Sequence, residues 1–341
     1  MSRNGSPAAP IIRTMKPLTR VFQYPSLLLG LVLICALPVN TDAAPAGWAP
    51  LLEPEAAAAI LQQSPQVRVV QVTGNYNRGH LPGALDSPYA RWRGPRDNPG
   101  ALHDLAGFTS LVQELGITDT TPVLVVHEGS NPADMGAATR VYWTLKSLGV
   151  QDIAVLNGGM DAWRAAGLPL SNEAASATAS AYQPQWHDQW RVSTTEVEQL
   201  VHQGGARLID ARPASFFRGF RATVGKPGTI KGAGNLTFES WFDGDRLKAT
   251  ADLAAILDAY GEPVAPVTVS FCNTGHWASI NWFVMSELLA IPNTRLYAES
   301  VAEWSQQERP MDNQPNRGQV YRELTGQWLR GLFDDEPCPN C

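Results

Sequence analysis

The stretch Val267-Thr268-Val269-Ser270-Phe271-Cys272-Asn273-Thr274-Gly275-His276-Trp277 decides the fold of this chain. Its first five residues are β-branched or aromatic apart from one serine, which predicts a buried strand over 267–271. A helical pattern over 277–289 follows, so the residues from Cys272 onward connect a strand to a helix. A parallel α/β sheet places such a connection at the carboxyl edge of its strands, where open α/β folds carry their sites. We therefore expect Cys272 to lie in a functional site.

The residues of this loop favour a nucleophilic thiol. Gly275 permits a turn that points backbone N–H groups inward, and the helix that begins at Trp277 adds the positive end of its dipole. Both features stabilise anions, so they favour a thiolate on Cys272 and a persulfide anion on the same sulfur. The alternative is an inert cysteine at the end of a core strand, because free cysteine is often simply buried. The short loop, the glycine and the following helix favour the nucleophile.

The same order of strands and helices occurs twice along the chain. The first half shows predicted helices over 51–63, 105–115, 133–148 and 162–166, and predicted strands over 67–72, 122–126 and 153–156. The second half shows predicted helices over 194–202, 247–260, 277–289 and 301–304, and predicted strands over 207–210, 267–271 and 295–297. Strands that alternate with helices predict a mainly parallel sheet flanked by helices. The predicted fold class is therefore α/β, with two tandem domains.

Composition divides the chain into five segments. Residues 1–44 carry Lys16 and Arg20 ahead of an apolar run and then small residues, which predicts a secretory signal peptide, with a retained membrane anchor as the alternative. The apolar run over 27–37 is too short to cross a bilayer as a helix. The other segments are a first domain over 45–170, a linker over 171–187, a second domain over 188–310 and a tail over 311–341. We expect an exported, periplasmic protein without stable membrane insertion once the signal is cleaved.

Composition also excludes several classes of protein. The 341 residues are 44% hydrophobic and 17% charged, which is typical of a globular chain with two domains. The formal net charge of -6, with no basic stripe, argues against a nucleic-acid partner. No glycine-rich phosphate loop follows a strand, and no set of ligands has the spacing of a metal site. We therefore expect neither a nucleotide cofactor nor a bound metal.

The cysteines beyond the predicted signal peptide fall into two groups. Cys272 stands alone, whereas Cys338 and Cys341 form a C-x-x-C at the end of the chain. An odd cysteine in an exported protein pairs between molecules or is a reactive thiol. The terminal pair is either a small disulfide or incidental tail cysteines, or else a redox pair that accepts sulfur from Cys272 or reduces it. A thiol-redox protein is one acceptor that this pair suggests.

Three further segments carry recognisable signatures. They are Arg78-Gly79-His80-Leu81-Pro82-Gly83-Ala84, Leu156-Asn157-Gly158-Gly159-Met160-Asp161-Ala162-Trp163, and the weaker repeat Leu296-Tyr297-Ala298-Glu299-Ser300-Val301-Ala302-Glu303-Trp304. Together with a cysteine loop that runs six residues into a helix, they resemble the tandem-domain rhodanese family of thiosulfate and 3-mercaptopyruvate sulfurtransferases. The resemblance covers about Leu51 to Glu308, and the combined signatures are more specific than any one alone.

The first half departs from the pattern of that family. His127 and Glu128 follow the predicted strand, and no cysteine occurs anywhere in this domain. The resemblance therefore implies a non-catalytic copy that packs against its partner and helps to wall the pocket. A metal or acid–base pair is the alternative, but adjacent residues at a strand end point to opposite sides. We therefore favour the interpretation that His127 and Glu128 have no catalytic or metal-binding role.

The second half also departs from the family's pattern. Phe216 occupies the position where relatives carry a substrate-binding arginine, and Thr229 replaces the histidine of a Gly-His-Ile signature. The loop contains neither the lysine of thiosulfate-preferring members nor the Gly-Ser-Gly-Val-Thr of mercaptopyruvate-preferring ones. The residues that we assign to substrate binding are Asn273, Thr274, Gly275, His276, Trp277, Arg212 and Arg218. His276 either adds positive charge near Cys272 or faces solvent; Trp277 is expected to be a pocket wall or core anchor.

The implied reaction is a two-step sulfur transfer. Cys272 is the catalytic nucleophile: it takes the sulfane sulfur of thiosulfate or a related donor as a persulfide, and passes it to a thiol or cyanide. One alternative is a carrier that holds the persulfide for a partner without turnover. A less favoured alternative is a phosphatase or arsenate reductase, which needs an arginine six residues after the cysteine to grip the oxyanion. Here that position is Ala278.

Overall fold

The computed structural model describes residues 44–261 and 265–333. The predicted signal peptide, apart from Ala44, and the terminal cysteines Cys338 and Cys341 lie outside these residues. Over the residues that are described, no helix combines the length and the apolar character needed to span a bilayer.

The first half forms one parallel sheet flanked by helices. Its strands are β1 (Leu51–Leu52), β2 (Arg68–Gln71), β3 (Leu85–Asp86), β4 (Val123–Val126) and β5 (Ile153–Leu156), and its helices are α1 (Pro54–Gln63), α2 (Leu105–Glu114), α3 (Met135–Ser147) and α4 (Gly159–Ala165). The strand order is β1-β5-β4-β2-β3, and every pair is parallel. Every residue of β4 and β5 is buried, as expected for strands covered on both faces.

The second half forms a second parallel sheet. Its strands, with those of two small antiparallel pairs, are β6 (Ala206–Asp210), β7 (Thr229–Ile230), β8 (Gly234–Asn235), β9 (Phe242–Asp243), β10 (Arg246–Leu247), β11 (Val267–Phe271), β12 (Thr294–Leu296) and β13 (Met311–Asp312). Its helices are α5 (Thr194–Gln203), α6 (Ala214–Phe217), α7 (Thr250–Tyr260), α8 (Trp277–Phe283), α9 (Ser300–Gln306) and α10 (Arg317–Phe333). The main sheet has the order β12-β11-β6-β8. The predicted α/β class with two parallel sheets is confirmed.

Most element predictions agree with the structure, but two predicted helices begin three residues late. The helix predicted over 247–260 begins at Thr250, because Leu247 belongs to the short strand β10, which pairs with β9. Strands β5 and β11 have the predicted bounds, and a π-helical turn continues α8 through Leu288. The helix predicted over 51–63 begins only at Pro54, because Leu51 and Leu52 pair with the distant strand β5. Proline is well suited to the first turn of a helix, but local periodicity cannot reveal pairing with a strand a hundred residues away.

Helices from the two halves pack directly against each other. Thr139 of α3 and Ser279 of α8 share a hydrogen bond of 2.7 Å between their hydroxyls. The Tyr142 ring meets the edge of Phe283 with centroids 5.0 Å apart, and its hydroxyl donates to Glu287. A single hydrophobic core contains side chains from both helices. Helix α3 of the first half therefore lies directly against the helix that follows the cysteine loop.

The segment over 171–187 contains no helix and lies on the first half. Ser171 and His80 exchange a pair of backbone hydrogen bonds, and the Ser180 hydroxyl donates to the Ile117 carbonyl. The Tyr182 hydroxyl donates to the Leu148 carbonyl at 2.7 Å. These bonds tie the segment that joins the two halves to the surface of the first.

Candidate active site

Cys272 lies immediately after β11, at the carboxyl edge of the second sheet. Strand β11 is central, with β6 on one side and β12 on the other, so the loop is framed by the ends of both neighbours. The thiol is free, and the side chain is only 1% exposed. Thr274, His276 and Trp277 of the same loop are partly exposed. The strand, loop and helix occur in the order that the sequence predicts.

Ser300 at the start of α9 organises the loop, and the sequence analysis did not assign it a role. Its hydroxyl accepts the backbone N–H groups of Cys272 and Gly275, both at 3.1 Å, and donates to the Tyr297 carbonyl at 2.7 Å. Two N–H groups that we expected to face an anion are therefore occupied by Ser300. Ser300 also has a φ of +55°, a strained conformation for serine. Because the strained Ser300 accepts the backbone N–H groups of both Cys272 and Gly275, we infer that it holds the loop in a single conformation.

Replacing Ser300 separates the effect of its hydroxyl from that of its backbone strain. Ser300→Ala and Ser300→Gly should both lower turnover about a hundredfold, because the loop would no longer be held in position. Ser300→Gly should unfold less easily than Ser300→Ala by about 1 kcal/mol, since glycine adopts a positive φ without strain. Urea unfolding and steady-state turnover measure the two effects.

The matched control is Ser305→Ala in the same helix. Ser305 is also buried, but its hydroxyl makes a single bond to the Ala302 carbonyl, so turnover should stay within about twofold of the wild type. Wild-type turnover in Ser300→Ala would mean that the hydroxyl does not shape the loop.

Gly275 cannot be replaced without displacing its neighbours. It has a φ of +70°, which favours glycine. A Cβ atom at this position would overlap both Nη1 of Arg140 and the carbonyl oxygen of Ala298. Arg140 belongs to α3 of the first half, so its guanidinium lies directly against the cysteine loop of the second half. The sequence carries no local signal of this contact.

Arg212 and Asn273 brace the loop. We predicted Arg212 as a substrate ligand, but its buried guanidinium is paired with Asp210 at 2.6 Å and also donates to the Gly228 carbonyl. Its Nη1 donates to Asn273 Oδ1 at 3.1 Å, and Asn273 Nδ2 donates to the Thr223 hydroxyl. The charge of Arg212 is thus neutralised inside the protein. In the structure Arg212 positions the loop, and its paired charge gives no support to the prediction that it binds substrate.

Arg218 does not reach the predicted site. Its side chain is exposed, donates weakly to the Ala214 carbonyl and lies 5.8 Å from the centre of the Phe220 ring. It lines a surface groove together with Asn313 and Gln314. None of these neighbours belongs to the cysteine loop, so the structure gives no support to Arg218 as a substrate ligand.

His276 bridges the two halves of the protein. Its Nδ1 lies 3.1 Å from the Tyr89 hydroxyl, and its ring fills the space left by the missing side chain of Gly136. Burial, and then the nearby cation Arg93, lower the pKa of His276 from 6.5 to about 4. The ring is therefore neutral at neutral pH. The lowered pKa gives no support to a positive charge on His276, and the partly exposed ring packs against the first half.

Trp277 forms one wall beside the loop. Its ring stacks on Phe238 with centroids 5.1 Å apart, and it meets the edge of Phe216 at 5.9 Å. Phe216 is buried at the position where we expected relatives to have an arginine. The exposed Arg221 places its guanidinium 4.9 Å from the centre of the Phe216 ring. The wall is thus aromatic, and the guanidinium groups of Arg221 and Arg212 both lie near the Phe216 ring.

The first half contains a counterpart of the cysteine loop. Met160 N–H donates to the His127 carbonyl, as Val301 N–H donates to the Cys272 carbonyl. His127 therefore occupies the position that Cys272 has in the second half. Burial lowers the pKa of His127 from 6.5 to about 4, so the ring is neutral at neutral pH. Its neighbour Glu128 is paired with Arg164 at 2.8 Å.

No metal centre is evident around this counterpart. Over residues 44–261 and 265–333, no cluster of three or more histidine, cysteine, aspartate or glutamate side chains could hold a metal ion. A metal pair at His127 and Glu128 therefore has no support in the described residues.

Comparison with known proteins identifies the class that this fold and site define. The rhodanese-like domain family matches residues 54–166 and 193–307, one match in each half. The thiosulfate sulfurtransferase of Corynebacterium glutamicum is 30% identical over 264 residues, which span 72% of this chain and 84% of that protein. The 3-mercaptopyruvate sulfurtransferase of Escherichia coli is 28% identical over 246 residues, or 68% of this chain and 83% of that protein.

Two further matches extend the comparison. The sulfur carrier protein TtuD of Thermus thermophilus is 27% identical over 263 residues, or 71% of this chain and 89% of that protein. The crystal structure of SseA from Escherichia coli, a 3-mercaptopyruvate sulfotransferase of rhodanese fold by its description, superposes with a TM-score of 0.65 at 22% identity, covering 74% of this chain and 98% of SseA. The chain belongs to the tandem-domain rhodanese family of sulfurtransferases.

Proposed function

We propose that this chain transfers a sulfane sulfur from thiosulfate, or a related donor, to a thiol or cyanide through a persulfide on Cys272. The observation that carries the proposal is the position of Cys272, a free thiol at the end of the central strand β11 in a loop held by Ser300. Cys272 is also the only cysteine among the described residues. A thiol in a rigid loop at the carboxyl edge of a parallel sheet is well placed to act as a nucleophile.

The first step exchanges one sulfur–sulfur bond for another. The Cys272 thiolate attacks the outer sulfur of thiosulfate and forms a new S–S bond. The S–S bond of thiosulfate breaks, and sulfite leaves with its electron pair, so the enzyme retains a persulfide anion. No proton moves if the cysteine reacts as a thiolate.

The second step restores the thiolate. An acceptor thiolate or cyanide attacks the outer sulfur of the persulfide, and the enzyme's S–S bond breaks with its electron pair on Cys272. The acceptor leaves as its own persulfide or as thiocyanate. The 1% exposure of Cys272 favours small donors and acceptors in the described conformation.

Intact mass measurement tests the persulfide directly. Native protein incubated with thiosulfate should gain the mass of a single sulfur atom on the peptide that contains Cys272, and reducing agent should remove it. A parallel incubation with 3-mercaptopyruvate compares the two donor classes. Protein that gains no sulfur from either donor, or gains it only on Cys338 or Cys341, would contradict the proposal.

A persulfide carrier is the second candidate function. It is favoured by the similarity to a sulfur carrier protein and by Phe216, which stands where we expected a substrate-binding arginine. Steady turnover of thiosulfate and cyanide by the purified protein supports an enzyme. A single equivalent of sulfur taken up without turnover supports a carrier.

Phosphate or arsenate chemistry has no support in the loop. The position six residues after Cys272 is Ala278, which is fully buried in α8. The loop itself therefore supplies no guanidinium to hold an oxyanion.

A further inference from the structure

The proposed first step brings two negative charges together. A thiolate must approach the dianion thiosulfate, and their repulsion is strong in a site that excludes water. A nearby cation would offset this repulsion and would also stabilise the anionic sulfur on the enzyme. The need for such a cation rests on the proposed function, and the question is which residue supplies it.

In the described part of the second half, the basic side chains that contact the loop carry no free positive charge. Arg212 is neutralised by Asp210, and His276 is uncharged at neutral pH. The six loop residues from Cys272 to Trp277 include no lysine or arginine. Arg221 is exposed, and its guanidinium lies 4.9 Å from the centre of the Phe216 ring. Arg221 is thus an exposed cation beside the aromatic wall, and its ring contact is with Phe216 rather than with the cysteine loop.

Arg140 of the first half contacts the loop itself. Its Nη1 lies so close to Gly275 that a single added Cβ atom would overlap it. The guanidinium interacts electrostatically with Cys272, and its carbon lies 5.1 Å from the centre of the Trp143 ring. Trp143 and Gly275 thus fix the guanidinium between α3 and the reactive loop.

Arg140 is buried with most of its donors unused. The side chain is 0% exposed, and its Nη2 donates to the Gly100 carbonyl at 3.1 Å. Nη1 and Nε have no hydrogen-bond partner among the described residues. A buried guanidinium is costly unless it is paired, so two free donors next to a reactive thiol point to an anionic partner.

The other charged and titratable groups around Arg140 leave it a cation. Burial and the neighbouring Arg93 lower the pKa of Arg140 to about 10, while Tyr89 and Glu299 act in the opposite direction. Glu299 is itself paired with Arg191 at 2.7 Å. Arg140 is therefore protonated at neutral pH, and its charge is not neutralised by a direct ion pair with any described residue.

We propose that Arg140 is the anion-stabilising residue of the active site, acting on the thiolate and persulfide of Cys272 from the other half of the chain. The first half then supplies a charge that the reaction needs, although it carries no catalytic cysteine. As the thiosulfate S–S bond breaks, the negative charge that remains on the persulfide faces Nη1 and Nε. The cation that the family resemblance implies at the position of Phe216 then comes from across the interface between the halves.

The pH dependence of Cys272 alkylation tests this charge without requiring sulfur transfer. Arg140→Met and Arg140→Gln should move the midpoint of the iodoacetamide reaction, followed on the Cys272 peptide by mass spectrometry, upward by about one pH unit. Arg140→Lys, which keeps the charge, should fall between these variants and the wild type. The value of kcat/KM for thiosulfate should fall about a hundredfold in the two neutral variants.

Two control variants separate the proposal from its alternatives. Arg207→Met removes another buried arginine, on β6 and bonded to Thr268, and should leave the alkylation midpoint unchanged. Arg221→Met should also leave it unchanged, and a shift there instead of at Arg140 would assign the charge to Arg221.

Two outcomes distinguish failure of this inference from failure of the proposed function. An unchanged midpoint in both neutral Arg140 variants, with stability lost as in Arg207→Met, would show that Arg140 is only structural and would overturn the inference. If the midpoint shifts but the wild type never takes up sulfur, the inference stands as a statement about the thiolate and only the proposed function fails.

Discussion

Replacing Cys272 with serine should reduce sulfur transfer by about a thousandfold or more. A serine hydroxyl is hardly ionised near neutral pH and cannot hold a sulfane sulfur as a persulfide. The substitution changes one atom, and the bond from the backbone N–H at this position to Ser300 does not involve the side chain. The fold and the loop should therefore be retained. Thiocyanate formation from thiosulfate and cyanide measures the loss.

The control for this variant removes the thiols of Cys338 and Cys341. The double variant Cys338→Ser, Cys341→Ser should form thiocyanate at the wild-type rate, because cyanide needs no protein thiol as acceptor. A slower rate with thiol acceptors alone would instead indicate a resolving role for the terminal pair. Wild-type turnover in Cys272→Ser would end the assignment of Cys272 as the nucleophile.

Replacing Asp210 with asparagine should lower the free energy of unfolding by about 3–5 kcal/mol. The Asp210 carboxylate is fully buried, binds Nε and Nη2 of Arg212, and accepts the Thr229 hydroxyl at 2.8 Å. The amide would leave the Arg212 charge buried without a counterion. Because Arg212 holds Asn273, turnover should also fall. Denaturant unfolding gives the change in stability.

An exposed ion pair provides the matched comparison. Lys226 and Glu308 lie 3.4 Å apart, with side chains 48% and 81% exposed. Glu308→Gln should change the free energy of unfolding by less than about 1 kcal/mol, because solvent screens the pair. If Asp210→Asn and Glu308→Gln lowered the free energy of unfolding equally, the buried pair of Asp210 and Arg212 would contribute no more to stability than the exposed pair.

Much of the second half could be predicted from local patterns. The run of β-branched residues before Cys272 predicts β11 with its observed bounds, and Ser193 with Glu196 forms the capping box that starts α5. These signals are local, since a buried strand needs apolar residues and a helix start needs a cap. β1 was missed because its two residues form a strand only by pairing with β5.

The assignment of individual site residues was less successful than the position of the loop. Arg212 follows a strand and carries a charge, which made it a candidate ligand, but the nearby Asp210 takes that charge inside the protein. The sequence predicts either a charge or an exposed position for His276, whereas in the structure its ring packs against Gly136 and burial lowers its pKa. Ser300 lay within a quoted signature, yet its bonds to the loop depend on the return of the chain after β12.

By itself the sequence determined two α/β halves, the strand that delivers Cys272, and the absence of a cysteine from the first half. These properties depend on residue type and on hydrophobic periodicity over a few residues, and both can be read from a short segment of the chain. Only the tertiary structure decided which charged side chains lie at the cysteine loop. Arg140 and Gly275 are in different halves, and the packing of α3 on α8 brings the guanidinium to the loop. Contacts between residues that are distant in sequence depend on how the two halves pack together, and local sequence patterns do not predict this packing.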